Sequence, residues 1–316
     1  MTHLQKWNDM LEETRMLWDK RIPLAYRQEP EQMPSGAVGK DGFLHLGFRY
    51  AGDKSILHQM EKRIPLFAQK ALYHDEALPG LPCVTVMSTS GCILQGDRIA
   101  LSINVGENAY AYVTTQSATK VHSMEQNYGA QVQFITLNNN AYLEYMPDPL
   151  ILHRQARFIN DTVIGYTRSS TLIYSEIIIS GRRYHHENEL NGFDYYSSTV
   201  SAKDESGHVV FKEQIQLSPQ AYSMADIGVM GNYQILGTVF ILTPQMNIAS
   251  IMAACDSHYC EECCYGISTL PAESGLIFKI LANDSGVVKK HIRKIWALTR
   301  KVALNADLPP PFIWKK

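Results

Sequence analysis

From residue 42 to about residue 217, apolar side chains recur at every second position in short runs broken by turn residues. That period sorts side chains onto the two faces of an extended strand, whereas a helix repeats its faces about every 3.6 residues. In the first run Leu44, Leu46, Phe48 and Tyr50 share one side. Further strands are expected over 99–105, 110–114, 131–137 and 141–145, punctuated as turns by Gly106-Glu107-Asn108 and Asn138-Asn139-Asn140. Asp204-Glu205-Ser206-Gly207 separates two alternating runs and predicts a hairpin loop. Many short strands with few helices among them predict a mainly β fold. Seventeen Tyr and ten Phe agree with that preference.

The two ends differ from this middle. Leu4, Trp7, Leu11 and Trp18 fall at helical spacing, and the stretch 23–39 holds Pro, Gln, Glu and Gly without periodicity. A helix and linker over 1–39, followed by a β-rich domain over 40–316, is the expected division. That helix would pack on its own domain or serve as a partner-binding arm. Near the C-terminus, Val288, Ile292, Ile295, Thr299 and Val302 lie at helical spacing and predict an amphipathic helix. Lys289, Lys290, Arg293, Lys294, Arg300 and Lys301 then occupy its solvated face. Pro309-Pro310-Pro311 ends the helix before Phe312-Ile313-Trp314.

Charge and composition exclude several functions. A net charge of −2 gives no bulk attraction for nucleic acid or an anionic membrane. The N-terminus carries charges throughout and has no apolar core for a secretory signal, and no apolar run approaches the ~20 residues of a bilayer span. Six cysteines in 316 residues do not make a disulfide scaffold. These features predict a soluble, cytoplasmic protein with reduced thiols. There is no phosphate-binding loop, no dinucleotide fingerprint, no paired zinc-binding histidines on a helix and no nucleophile elbow.

Two kinds of candidate site remain. His258, Cys260 and Cys263 (with Cys264 beside them) offer imidazole and thiol donors at a spacing that could bind zinc or nickel. Only one Cys-x-x-Cys is present, and adjacent Cys263 and Cys264 do not easily face one ion, so an ordinary cysteine-rich loop is the plainer expectation. The His185-His186 pair likewise reads as a surface loop. The second kind is a carboxylate inside an apolar strand face. Leu172, Tyr174, Glu176 and Ile178 share one face, while Ile173, Ser175, Ile177 and Ile179 make the other nearly as apolar. Glu213 sits at the centre of Val209, Phe211, Ile215 and Leu217. An acid so placed is costly unless paired, protonated or set in a polar cavity. A buried ion pair or hydrogen-bonded acid satisfies that requirement, and so does an acid lining an internal watery passage.

Four segments in order carry a resemblance. They are Ser88-Thr89-Ser90-Gly91-Cys92-Ile93-Leu94-Gln95-Gly96-Asp97-Arg98, Thr114-Thr115-Gln116-Ser117-Ala118-Thr119-Lys120, Leu143-Glu144-Tyr145-Met146-Pro147-Asp148-Pro149, and Ser175-Glu176 running into Ser180-Gly181-Arg182. From about Gly42 to the end, the chain resembles the UreD (UreH) family of urease accessory proteins. It departs from that pattern at Ser88-Thr89-Ser90-Gly91, where the family often has a glycine-rich stretch. The N-terminal helix and the cysteine cluster lie outside the pattern.

The resemblance implies a layered, superhelical β architecture with a few helices, and a scaffold that performs no turnover. It implies binding to apo-urease and UreF, and through UreF to the GTPase UreG. It further implies an internal route for nickel or bicarbonate, with no tightly bound cofactor and only transient nickel. The passage-lining residues it implies are Asp97, Thr119, Glu176 and Glu213. Two rivals stand beside it: a metal-dependent enzyme built on His258, Cys260 and Cys263, and a β-rich binding module for another partner.

Overall fold

A computed structural model describes residue 12 and residues 14–28, 41–182 and 184–311. The expected helix positions Leu4, Trp7 and Leu11, most of the linker, and Phe312-Ile313-Trp314 lie outside the described residues. The chain is mainly β, built on two large sheets with helices on their outer faces.

The first sheet has seven strands in the order Val209–Leu217, Tyr195–Lys203, Arg157–Tyr166, Gly129–Leu137, Arg98–Val105, Asp41–Ala51 and Lys54–Arg63. Its inner pairings are parallel, and only the two edge strands run antiparallel. In the second sheet Cys83–Ser88, Tyr110–Thr115, Tyr142–Met146 and Thr171–Ile179 are also parallel neighbours. Antiparallel Ile235–Leu242, Gly275–Ala282, Cys263–Thr269 and His258–Tyr259 extend it to one open edge.

The chain passes from one sheet to the other and back, adding one parallel strand to each at every pass. Cys83 pairs with Tyr112, Tyr110 with Tyr142, and Tyr142 with Thr171. Each coil therefore takes roughly thirty residues, within the range of stacked structural repeats. The small parallel strands Cys92–Ile93, Thr119–Val121 and Leu150–Leu152 pair along one side of the coil. The superhelical expectation is met. The expected hairpin is present too, since Tyr195–Lys203 and Val209–Leu217 pair antiparallel around the 204–207 loop.

Strand parity decides which side chains face inward. Leu172, Tyr174 and Ile178 enter the core between the sheets, whereas Ile173 and Ile177 enter a second core under the C-terminal helix. Both faces of this strand are covered, so its sequence shows no wet side. Helix Ser285–Leu304 seats Val288, Ile292 and Ile295 on the outer face of the second sheet. Asp284 caps it by accepting from the Gly286 and Val287 N–H groups, and left-handed Asn305 closes the other end. Gly237 makes the close approach possible, because a Cβ there would lie 2.7 Å from Val288 Cγ1.

The N-terminal helix, described over 14–21, covers the outer face of the first sheet. Trp18 is fully buried with Ile22, Phe43, Tyr128 and Tyr195, and its indole N–H donates to Asp161 at 2.9 Å.

One expectation fails. Arg300 is not on the solvated helix face but 1% exposed beneath it. Its guanidinium donates to both carboxylate oxygens of Glu144 at 2.7 and 2.6 Å and to Asp75 at 2.5 Å. Glu144 is 0% exposed and also accepts from Tyr142 Oη at 2.6 Å. The guanidinium is buried because two carboxylates wait for it on the sheet, and a fork of donors satisfies them together.

Candidate functional site

A cavity of about 180 Å³ lies between the sheets, with Glu176 on its wall beside Asn160, Gln133, Gln131 and Thr119. Glu176 stands on the inward parity of Thr171–Ile179 and is half-buried, its remaining exposure belonging to a residue of the cavity wall. Its carboxylate accepts from Tyr174 Oη at 2.7 Å, Asn160 Nδ2 at 3.0 Å, and Ser198 Oγ at 3.2 and 3.3 Å. Asn160 and Ser198 come from the opposite sheet, so the acid joins the two layers.

The polar set continues through Tyr174. Gln133 Nε2 donates to Tyr174 Oη at 3.0 Å and to Thr162 Oγ1 at 2.9 Å, and Tyr145 Oη donates to Gln133 Oε1. Every partner of Glu176 is a neutral donor, with no cation among its hydrogen-bond partners. Burial therefore dominates, and it pushes the Glu176 pKa up from 4.5 to about 7 despite the hydrogen bonds from Tyr174 and Ser198. Near neutral pH the residue is divided between charged and neutral forms.

The expected site residues separate into three places. Thr119 and Glu176 share the cavity wall. Asp97 is outside that wall, buried in the turn before Arg98–Val105, where its Oδ2 accepts from the Leu94 N–H at 2.8 Å. The neighbouring Arg98 stacks over Tyr128 and donates to the Tyr128 carbonyl and to Asn127. Glu213 faces inward as its parity requires, but at the sheet edge. It pairs with Lys279 at 2.5 Å across an open groove.

A second cavity of about 170 Å³ lies on the other face of the second sheet, under the C-terminal helix. Pro147, Asp148 and Ile177 line both cavities, which places the two spaces on either side of one thin section of sheet. The strand Tyr142–Met146 ends there, so the wall is Pro-Asp-Pro loop rather than hydrogen-bonded ladder. Asp148 also lies 3.6 Å from Lys289 of the helix. Asp148 falls in one of the four family-like segments, but no sequence signal assigned it a role of its own, because its place depends on where the coil ends.

His258, Cys260 and Cys263 converge, with one ligand atom from each lying within 4.8 Å of the others. His185 and His186 are exposed in a turn, where His186 accepts from the Asn188 N–H.

The chain is thus a coiled, two-sheet β scaffold around a partly polar cavity, flanked by helices. No described helix is long and apolar enough to cross a membrane. The UreD urease accessory protein family model matches residues 40–315, and the chain belongs to that family. It is 51% identical to the urease accessory protein UreD of Photorhabdus laumondii, over 92% of this chain and 91% of that one. It is 48% identical to UreD of Yersinia pseudotuberculosis over the same shares. With UreD 2 of Brucella canis it is 40% identical over 95% of this chain and all of the relative.

Proposed function

We propose that this chain is a non-catalytic scaffold of urease maturation. It binds apo-urease and UreF, reaches UreG through UreF, and passes Ni²⁺ toward the urease active site through its internal cavity. The observation that carries this is Glu176, an acid whose hydrogen-bond donors are all neutral, on a cavity wall that is mostly amides, hydroxyls and apolar groups, with Asp148 the other carboxylate on it. Such a wall gives a divalent ion oxygen contacts one or two at a time, which is weak enough to release it. A carboxylate divided between two protonation states near neutrality binds more loosely still. A cage of several ionised acids would hold the ion instead.

The shared wall at Pro147, Asp148 and Ile177 supports a route that continues from the inner cavity to the space under the C-terminal helix. Asp148 supplies the next carboxylate along it. The test is Glu176→Gln in a cell producing urease with its other accessory proteins. Assembly with urease should persist while the nickel content of urease falls. Unchanged nickel content would remove Glu176 from the route.

A further inference from the structure

The hairpin at the open edge of the second sheet carries a donor set that the cavity does not use. His258–Tyr259 pairs antiparallel with Cys263–Thr269, His258 opposite Tyr265 and Tyr259 opposite Cys264. The same register sets Cys260 opposite Cys263, and the Cys260 N–H closes the turn by donating to the Cys263 carbonyl at 2.9 Å. His258 and Cys260 are two residues apart and share a face with Cys263, whereas Cys264 points to the other side with Tyr259. The adjacent cysteines therefore do not compete, and three ligands remain. None of the six cysteines is in a disulfide.

The atoms are close to a binding geometry. Sulfur at ~2.3 Å and nitrogen at ~2.0–2.1 Å from a tetrahedral ion are a little under ~4 Å apart. The three donors already lie within 4.8 Å of one another. Exposed His258 and half-exposed Cys260 can close that gap by side-chain rotation, while Cys263 is anchored in the core under the helix. The turn residues Glu261 and Glu262 add negative charge at the entrance. Cys263 belongs to the outer, helix-covered core, and Glu176 faces inward, so the hairpin and the cavity use opposite faces of the sheet.

We propose that this hairpin is a metal site for a thiolate-seeking divalent ion, Zn²⁺ or Ni²⁺. The ligands are the sulfurs of Cys260 and Cys263 and one ring nitrogen of His258, with the fourth position open to water or to an incoming ligand. Each thiol gives up its proton as its sulfur binds, so loading releases up to two protons. Two thiolates and an imidazole suit holding an ion at the surface, in contrast to the oxygen-lined interior.

The experiment uses the full chain alone, stripped with a chelator under reducing conditions and titrated separately with Ni²⁺ and Zn²⁺. Nickel is read by thiolate charge-transfer absorption and zinc by competition with a chromophoric chelator. One ion per chain is expected for wild type. Cys260→Ser and His258→Ala should weaken binding at least about tenfold, whereas Cys264→Ser should leave it unchanged. Cys260 is the thiol to replace first, because Cys263 is part of the core. The tighter of the two ions identifies the occupant. No binding by wild type, undiminished binding by Cys260→Ser, or equal loss in Cys264→Ser would overturn the assignment. None of these results depends on urease.

Discussion

Replacing Glu176 by glutamine should strengthen the fold while weakening the function, and the size of the first effect follows from its titration. An ordinary glutamate titrates near 4.5 and Glu176 at about 7, because burial disfavours the charge more than its neutral donors favour it. Between those pH values the folded chain keeps a proton that the unfolded chain has released. Raising the pH through this window therefore costs stability, and the cost levels off above about 7. At about 1.4 kcal/mol per pH unit, the full cost is about 3 kcal/mol.

Glutamine carries no charge to desolvate, so this cost disappears. Its carbonyl can still accept from Tyr174 and Asn160. The amide nitrogen now opposes the Ser198 hydroxyl, which must turn, at a loss of about 1 kcal/mol. At pH 8 Glu176→Gln should be about 2 kcal/mol more stable than wild type, and at pH 4.5 equal or slightly weaker. Urea denaturation of both proteins at pH 4.5, 6 and 8 measures the difference directly. Activation of urease by the variant should fall even though the protein is sturdier. A stability difference that is the same at all three pH values would refute the view that Glu176 is an uncompensated acid.

Two other substitutions probe residues held in buried hydrogen bonds. Arg300→Met leaves Glu144 and Asp75 buried without their cation and should cost about 3–5 kcal/mol in urea denaturation; a loss under about 1 kcal/mol would mean that the carboxylates find other partners. Asp97→Ala removes the acceptor for the Leu94 N–H and should cost about 1–3 kcal/mol. Urease activation should then decline only in step with the amount of folded protein, and a specific loss of nickel transfer at undiminished stability would instead place Asp97 on the route.

Much of this was visible in the residues. The alternation in Thr171–Ile179 places Glu176 on the same side as Leu172 and Tyr174, and those residues do face the core between the sheets. The apolar opposite face is explained by a second core under the C-terminal helix, which the strand itself cannot announce. Alternation also does not distinguish parallel from antiparallel pairing, so the coil rested on the family resemblance. Glu213 has the expected parity but a different fate, because its strand is the outermost of its sheet and opens toward Lys279.

Arg300 was illegible for a different reason. Helical spacing places it next to the buried stripe rather than in it, and the acids that draw it inward lie more than a hundred residues earlier. Long-range charge pairing leaves no local pattern. Asp148 is similar, since it matters only where one strand ends between two cavities. The cysteine hairpin was the reverse case. Its donors were plain in the sequence, and register supplied the missing fact that Cys260 lies opposite Cys263 with His258 on the same face.

The nickel content of urease matured beside a chain with a filled cavity tests the central claim most directly. Ala118 is a small residue of the cavity wall next to Thr119, and Ala118→Trp places an indole at that wall. Urease would be purified from cells producing either form at equal levels, its nickel measured per active site, and co-purification of the scaffold checked in parallel. The passage account predicts an intact complex and urease with much less nickel than beside wild type. Full nickel occupancy in the presence of the folded, complex-forming Ala118→Trp chain would contradict it.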